Sequence, residues 1–245
     1  MHYFISDIHL GILEREADKH RESLLLDFLD KIKEDAKSLY IVGDLFDYWF
    51  EYKSVIPKYY YKVLAKLAEI NKFGIDIIYL MGNHDFGHFD FFEKELDIHV
   101  YKEDLETIID GKKFYLSHGD GKAYNDAGYR LMKKILRHPL SNSFFRLIHP
   151  DFGINLASSS SKSSRSYTDS KDFSKKEGLE DFAEDMIKRG FDYVIMGHRH
   201  KINYKQYEDG IYVNLGDWIK PEPVFGQFDG NELKLVNVKE FLSNH

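Results

Sequence analysis

Ile75-Asp76-Ile77-Ile78-Tyr79-Leu80-Met81-Gly82-Asn83-His84-Asp85 is a mostly apolar run that breaks, at a glycine, into three polar side chains. Ile75–Met81 reads as a buried strand. Gly82 lets the backbone turn sharply and approach a ligand closely. The same arrangement recurs four times. Tyr3–Ser6 ends on Asp7-Ile8-His9, and Ser38–Val42 ends on Gly43-Asp44. Phe114–Ser117 ends on His118-Gly119-Asp120, and Tyr193–Met196 ends on Gly197-His198-Arg199-His200. Strands that each deliver polar groups at their carboxyl ends predict an α/β fold, because sites in open α/β sheets gather beyond those ends.

The spacing between these strands supports that fold. Leu24, Leu25, Phe28, Leu29 and Ile32 recur at helical intervals, predicting a helix near 17–35. A second helix is expected near 57–72, with Pro57 suited to its first turn. After residue 200 the pattern changes to hairpins. Ile202–Tyr207 and Ile211–Leu215 flank Asp209-Gly210, and Val224–Phe228 and Leu233–Val238 flank Asp229-Gly230. The expectation is a layered α/β sandwich of two sheets, folded as one domain over 1–245.

Composition excludes several functions. The chain has 245 residues, 43% of them hydrophobic, which is enough for a substantial core. There is no cysteine, so thiolate catalysis, disulfides and Cys-based zinc sites are out. A formal charge of −7 argues against nucleic acid as a partner. The start, Met1-His2-Tyr3-Phe4-Ile5-Ser6-Asp7, lacks the basic and apolar regions of a signal peptide. No stretch reaches the length of a membrane span. A cytoplasmic protein is expected.

The five polar clusters together supply three oxygen donors, Asp7, Asp44 and Asn83, and four imidazoles, His9, His118, His198 and His200. Each alone has a plain structural reading. Asp44 would suit a helix N-cap, Asn83 a turn, Asp47 a helix's first turn. As a set they are costly to bury unpartnered. Two divalent cations would satisfy all seven, and a cation pair is a device for phosphoester hydrolysis. Mixed oxygen and imidazole donors suit Mn²⁺ or Fe²⁺, with Zn²⁺ an alternative.

The ordered set resembles the calcineurin-like metallophosphoesterases, from residue 3 to about 217. That resemblance implies a four-layer α/β/β/α sandwich. It implies one metal on Asp7, His9, Asp44 and His200, and a second on Asp44, Asn83, His118 and His198, with Asp44 bridging. His84 is then placed on the leaving-group side, and Asp47 orients it. Arg199, between two ligands, would sit near a phosphate or, equally, in solvent.

Residues 122–175 differ from the rest. Lys122, Arg130, Lys133, Lys134, Arg137 and Arg146 interleave with Leu131, Met132, Ile135, Leu136, Phe144, Phe145, Leu147 and Ile148, and then with a Ser-rich stretch from 158 to 170. Two short amphipathic helices are expected there. Asp126-Ala127-Gly128-Tyr129-Arg130 and Ser164–Lys171, with Gly43-Asp44-Leu45-Phe46 and Tyr48-Trp49, are similar to the UDP-2,3-diacylglucosamine pyrophosphatases of lipid A assembly. The resemblance implies a glycolipid-nucleotide substrate cleaved to UMP and 2,3-diacylglucosamine 1-phosphate. It also implies an inserted helical cap over 122–175, peripheral at the inner membrane surface. Asp126, Tyr129, Ser164, Thr168 and Lys171 would contact the substrate. The basic residues on the outside of the cap would suit anionic headgroups. Two positions depart from that pattern: His84 stands where Arg is usual, and Asp47 where Glu is usual. A hydrolase for another nucleotide or phosphodiester, and a non-catalytic scaffold, remain alternative readings.

Overall fold

The computed structural model describes residues 1–122, 133–153 and 178–243. In chain order the elements begin β1 (His2–Ile5), α1 (Arg15–Ile32), β2 (Ser38–Val42), α2 (Tyr61–Lys72), β3 (Asp76–Leu80), α3 (Phe91–Glu95), β4 (His99–Tyr101), β5 (Leu105–Ile109) and β6 (Lys112–Ser117). They continue with α4 (Pro139–Phe145), α5 (Gly178–Lys188), β7 (Tyr193–Met196), β8 (Ile202–Gln206), β9 (Ile211–Leu215), β10 (Val224–Phe228), β11 (Leu233–Asn237) and α6 (Val238–Ser243).

Alternation along the buried strands builds the layers. Tyr3 and Ile5 of β1, with Leu39 and Ile41 of β2, share a core with Leu25, Phe28, Leu29 and Ile32 of α1 and Val63, Leu67 and Ile70 of α2. The intervening residues, Phe4, Tyr40 and Val42, instead meet Phe114, Leu116, Tyr193, Ile195, Val213 and Leu215 of the second sheet. Phe4 stacks on Tyr40 at 4.8 Å and on Phe114 at 5.6 Å, which fixes the two sheets face to face. The far side of the second sheet, through Tyr115, Val194, Met196 and Tyr212, is covered by Leu179, Ala183, Met186 and Ile187 of α5. The result is the expected α/β/β/α sandwich.

The first sheet runs β11-β10-β1-β2-β3-β4 and the second β5-β6-β7-β9-β8. β1 through β4 are mutually parallel, as are β6, β7 and β9. Registers of Ile5 with Ile41, Val42 with Leu80 and Ser117 with Met196 bring their carboxyl ends level at one edge. There the two sheets approach closely. Gly43 has φ +85°, and a Cβ on it would lie 2.5 Å from His118 Nδ1, so both conformation and space demand glycine.

Strands Ser38–Val42, Tyr193–Met196, Ile211–Leu215 and Val224–Phe228 lie where the sequence predicts them. The helix expected near 17–35 starts at Arg15 and ends at Ile32. Pro57 does not open α2; it precedes a short 3₁₀ turn, Lys58–Tyr60, that leads into it. Both hairpins form, with Gln206 opposite Ile211 and Phe228 opposite Leu233.

Of the inserted region, 133–153 is described. Phe145 of α4 packs on Phe50 at 4.6 Å, and Gly153 is buried against Tyr52. Leu140, Phe144, Leu147 and Phe152 face outward. Asp126, Tyr129, Ser164, Thr168 and Lys171, expected to contact substrate, lie outside the described residues.

Candidate metal centre

All seven candidate ligands meet at the carboxyl edge of the sheets. Five of them, Asp7, His9, Asp44, His198 and His200, have φ between 50° and 71°. Left-handed backbone at non-glycine residues is strained, and such strain collects at functional sites. Asp44 and Asp47 belong to no helix; the next helical turn starts at Lys58. That removes their plain helix-capping readings.

The first donor group is Asp7, His9 and His200, whose ligand atoms lie within 4.8 Å of one another. Asp7 Oδ2 is already engaged. It accepts from the His198 amide at 2.9 Å, and Ser6 Oγ donates to it at 2.5 Å. Asp7 Oδ1 is buried without a hydrogen bond. It lies 3.2 Å from His200 Nε2 and 3.5 Å from His9 Nε2. Those two nitrogens are themselves 2.9 Å apart. Donor atoms about 3 Å apart, aimed at one point, are what surrounds a cation bonded at roughly 2.0–2.2 Å.

The second group forms around Asn83. His118 Nδ1 donates to the Val42 carbonyl at 2.9 Å, which leaves the lone pair of a neutral ring on Nε2. That atom faces Asp44 Oδ2 at 3.1 Å and Asn83 Oδ1 at 3.0 Å. His198 Nδ1 approaches the same Asn83 oxygen at 2.8 Å. Acceptors thus converge on acceptors, a geometry that a cation resolves. Asp44 joins the groups. Its Oδ1 accepts from the His84 amide at 2.8 Å. Its Oδ2 faces both His118 Nε2 and, at 3.8 Å, His9 Nε2.

Electrostatics agree. Burial opposes charge on His118, but Asp44 and Asp7 overcome it and raise the ring to about 10. His9 is likewise raised to about 10, against burial, by Asp47, Asp7 and Asp44. Burial, then His118, lowers His198 to about 4. Burial would raise Asp7 and Asp44, yet His118 holds both well below the ordinary carboxylate range. Two buried carboxylates therefore demand positive charge here. Divalent cations would supply it and displace the imidazole protons.

His84 stands beside this set, its ring edge-on to His9 at 4.9 Å. Asp47 Oδ1 lies 3.5 Å from His84 Nδ1 and 3.4 Å from His9 Nδ1. One carboxylate thus addresses both rings. Arg199 follows His198 in the same loop.

Several supporting residues escaped the sequence reading. Asp85 accepts from Tyr79 Oη, the Gly82 amide and the Leu45 amide, tying the Asn83 loop to the Asp44 loop. Burial, and then Asp44, raises it to about 6. Asn214 Nδ2 donates to the Gly197 carbonyl at 2.7 Å, and the Trp218 amide to the Asp7 carbonyl at 3.1 Å. Asp85 closes the Gly82-Asn83-His84-Asp85 cluster, but its role shows only in the fold. Ser6, Asn214 and Trp218 carry no signal apart from adjacency to a strand end.

Known proteins resemble this chain in sequence. A family model described as calcineurin-like phosphoesterase matches residues 3–202. A Porphyromonas gingivalis protein named UDP-2,3-diacylglucosamine hydrolase is 32% identical, over 97% of each chain. Proteins of the same name from Hahella chejuensis and Haemophilus influenzae are each 27% identical, over 96% of both chains and about 90% of both chains respectively.

Proposed function

The chain belongs to the calcineurin-like phosphoesterase family, and from that premise we propose that it hydrolyses the pyrophosphate of UDP-2,3-diacylglucosamine to UMP and 2,3-diacylglucosamine 1-phosphate. Family membership makes it a metal-dependent phosphoesterase. The observation that carries the mechanism is Asp44 Oδ2, aimed between the two donor groups.

In this reading Asp7, His9, Asp44 and His200 hold one cation, and Asp44, Asn83, His118 and His198 the other. Mn²⁺ suits that donor set best, with Fe²⁺ or Zn²⁺ as alternatives. When bound, the pair supplies an acidified water near neutral pH and positive charge for the phosphoryl oxygens. The protein does the rest. The Asp85 and Ser6 contacts hold the ligand loops in place. His84 keeps a proton ready for the leaving phosphate, and Asp47 keeps its ring turned inward.

Relatives named for this substrate span nearly the full chain, which supports the substrate. So does the apolar outer side of the inserted segment, where Phe144 is 69% and Leu147 is 82% exposed. Each buried methylene of an acyl chain would gain roughly 0.8 kcal/mol there. We take 122–175 as a cap within a single domain, with Asp126, Tyr129, Ser164, Thr168 and Lys171 contacting the substrate. The same apolar side suits the inner membrane surface. No described helix is long and apolar enough to cross a membrane.

The test is UMP release from detergent-dispersed UDP-2,3-diacylglucosamine. Chelator should abolish it and Mn²⁺ restore it. Turnover confined to small soluble phosphodiesters would defeat the substrate assignment and leave the metal chemistry standing.

A further inference from the structure

The basic residues of the inserted segment do not all face solvent. Lys133 Nζ pairs with Asp120 Oδ2 at 2.7 Å, two residues past His118. Arg137 Nη2 donates to the Gly82 carbonyl at 2.9 Å, and its Nη1 to the Lys102 carbonyl at 2.6 Å. Arg146 Nε donates to the Glu51 carbonyl at 3.2 Å, and its guanidinium lies 3.9 Å from the Phe89 ring centroid. Three cations of one segment thus hold loops of the sandwich, and two of them, Lys133 and Arg137, reach residues next to candidate ligands.

Arg137 has the most direct connection. Gly82 precedes Asn83, whose Oδ1 faces His118 and His198. It also precedes the His84 turn, whose amide binds Asp44 Oδ1. A guanidinium is a rigid planar fork that holds two carbonyls in a fixed geometry, whereas a lysine's ammonium, on a flexible stem, would hold them loosely. We propose that Arg137 is a positioning residue: by gripping the Gly82 carbonyl it couples the seating of the inserted segment to the Asn83–His84 turn. The metal centre and the structure above it then set their geometry together. This extends the metal-centre reading above and does not depend on which phosphoester is cleaved.

The experiment compares the full-length, Mn²⁺-loaded protein with Arg137→Ala and Arg137→Lys. Amide hydrogen exchange is read across residues 82–84, and kcat and KM are read on a small aryl phosphodiester too short to touch the inserted segment. For Arg137→Ala the expectation is faster exchange at 82–84 and kcat down about 10-fold with KM little changed, in the range typical of lost supporting contacts. Arg137→Lys should recover only part of both. Unchanged exchange at 82–84 in Arg137→Ala overturns the proposal whatever the turnover. So does a loss confined to acylated substrate, which would make Arg137 a substrate contact. Absence of UMP release by the wild-type protein would sink the substrate assignment, while the exchange result would still decide Arg137.

Discussion

Asp7 is a carboxylate with no exposed surface; Leu147 is a leucine with 82% of its surface exposed. The two residues invert the usual partition of polar and apolar groups, and they belong to two regions with different construction. Around Asp7, polar atoms are buried because each loop is fixed by buried partners from a neighbouring loop. Around Leu147, apolar surface is left open while the described part of the inserted segment, 133–153, meets the body through Phe145 on Phe50 and the three cations. The candidate ligands are held by the sandwich, while the substrate selection proposed above falls to the appended segment. Exposed apolar patches of this kind mark ligand or membrane contact.

His84→Ala should separate the regions most sharply. It should lower kcat by ~10²–10⁴-fold on small and acylated substrates alike, with KM nearly unchanged, as loss of a general acid does. Equal kcat in the variant would leave the ring no part in proton transfer. A joint Phe144→Ser and Leu147→Ser change should do the reverse. Turnover of a soluble diester should hold, while KM for acylated substrate rises about 10-fold or more, since each lost apolar side chain is worth roughly 1.5–3 kcal/mol if buried by the ligand. Equal losses on both substrates would erase the division of labour.

The smallest effect tests the root of the inserted segment. Lys122 Nζ, Ser117 Oγ and Tyr115 Oη all donate to Asp104. Burial alone would raise this carboxyl, but those three partners hold it below the ordinary value. Its contribution to stability is therefore present above the unfolded pKa and fades as pH falls below about 4. Asp104→Asn should cost about 1 kcal/mol at pH 7, read by denaturant melts, and the gap should narrow in acid. A gap that persists through pH 3 would assign the loss to shape alone.

Much of this was legible in the sequence because the central strands are uniformly buried. Tyr193–Met196 and Ser38–Val42 are continuous apolar runs ending on glycine, a pattern with few other readings. β4 has three residues, and β5 is an edge strand, Leu105-Glu106-Thr107-Ile108-Ile109, that leaves Ile108 exposed; neither forms a clear pattern. The candidate ligands could be named because their chemistry is explicit. Their supports could not. Ser6, Asp85 and Asn214 matter through atoms brought together from distant loops. The basic excess of the inserted segment showed its charge but not its partners. Lys122 and Lys133 pair with Asp104 and Asp120, and Arg137 and Arg146 donate to the Gly82 and Glu51 carbonyls, contacts that composition cannot show.

The left-handed backbone at Asp7, His9, Asp44, His198 and His200 has an evolutionary consequence. Glycine would relieve conformational cost of roughly 1 kcal/mol at each position. A population selected for heat resistance alone would thus be drawn toward glycine at the very places proposed to hold the metals. On the proposed reading, thermal tolerance and metal binding would pull these five codons in opposite directions.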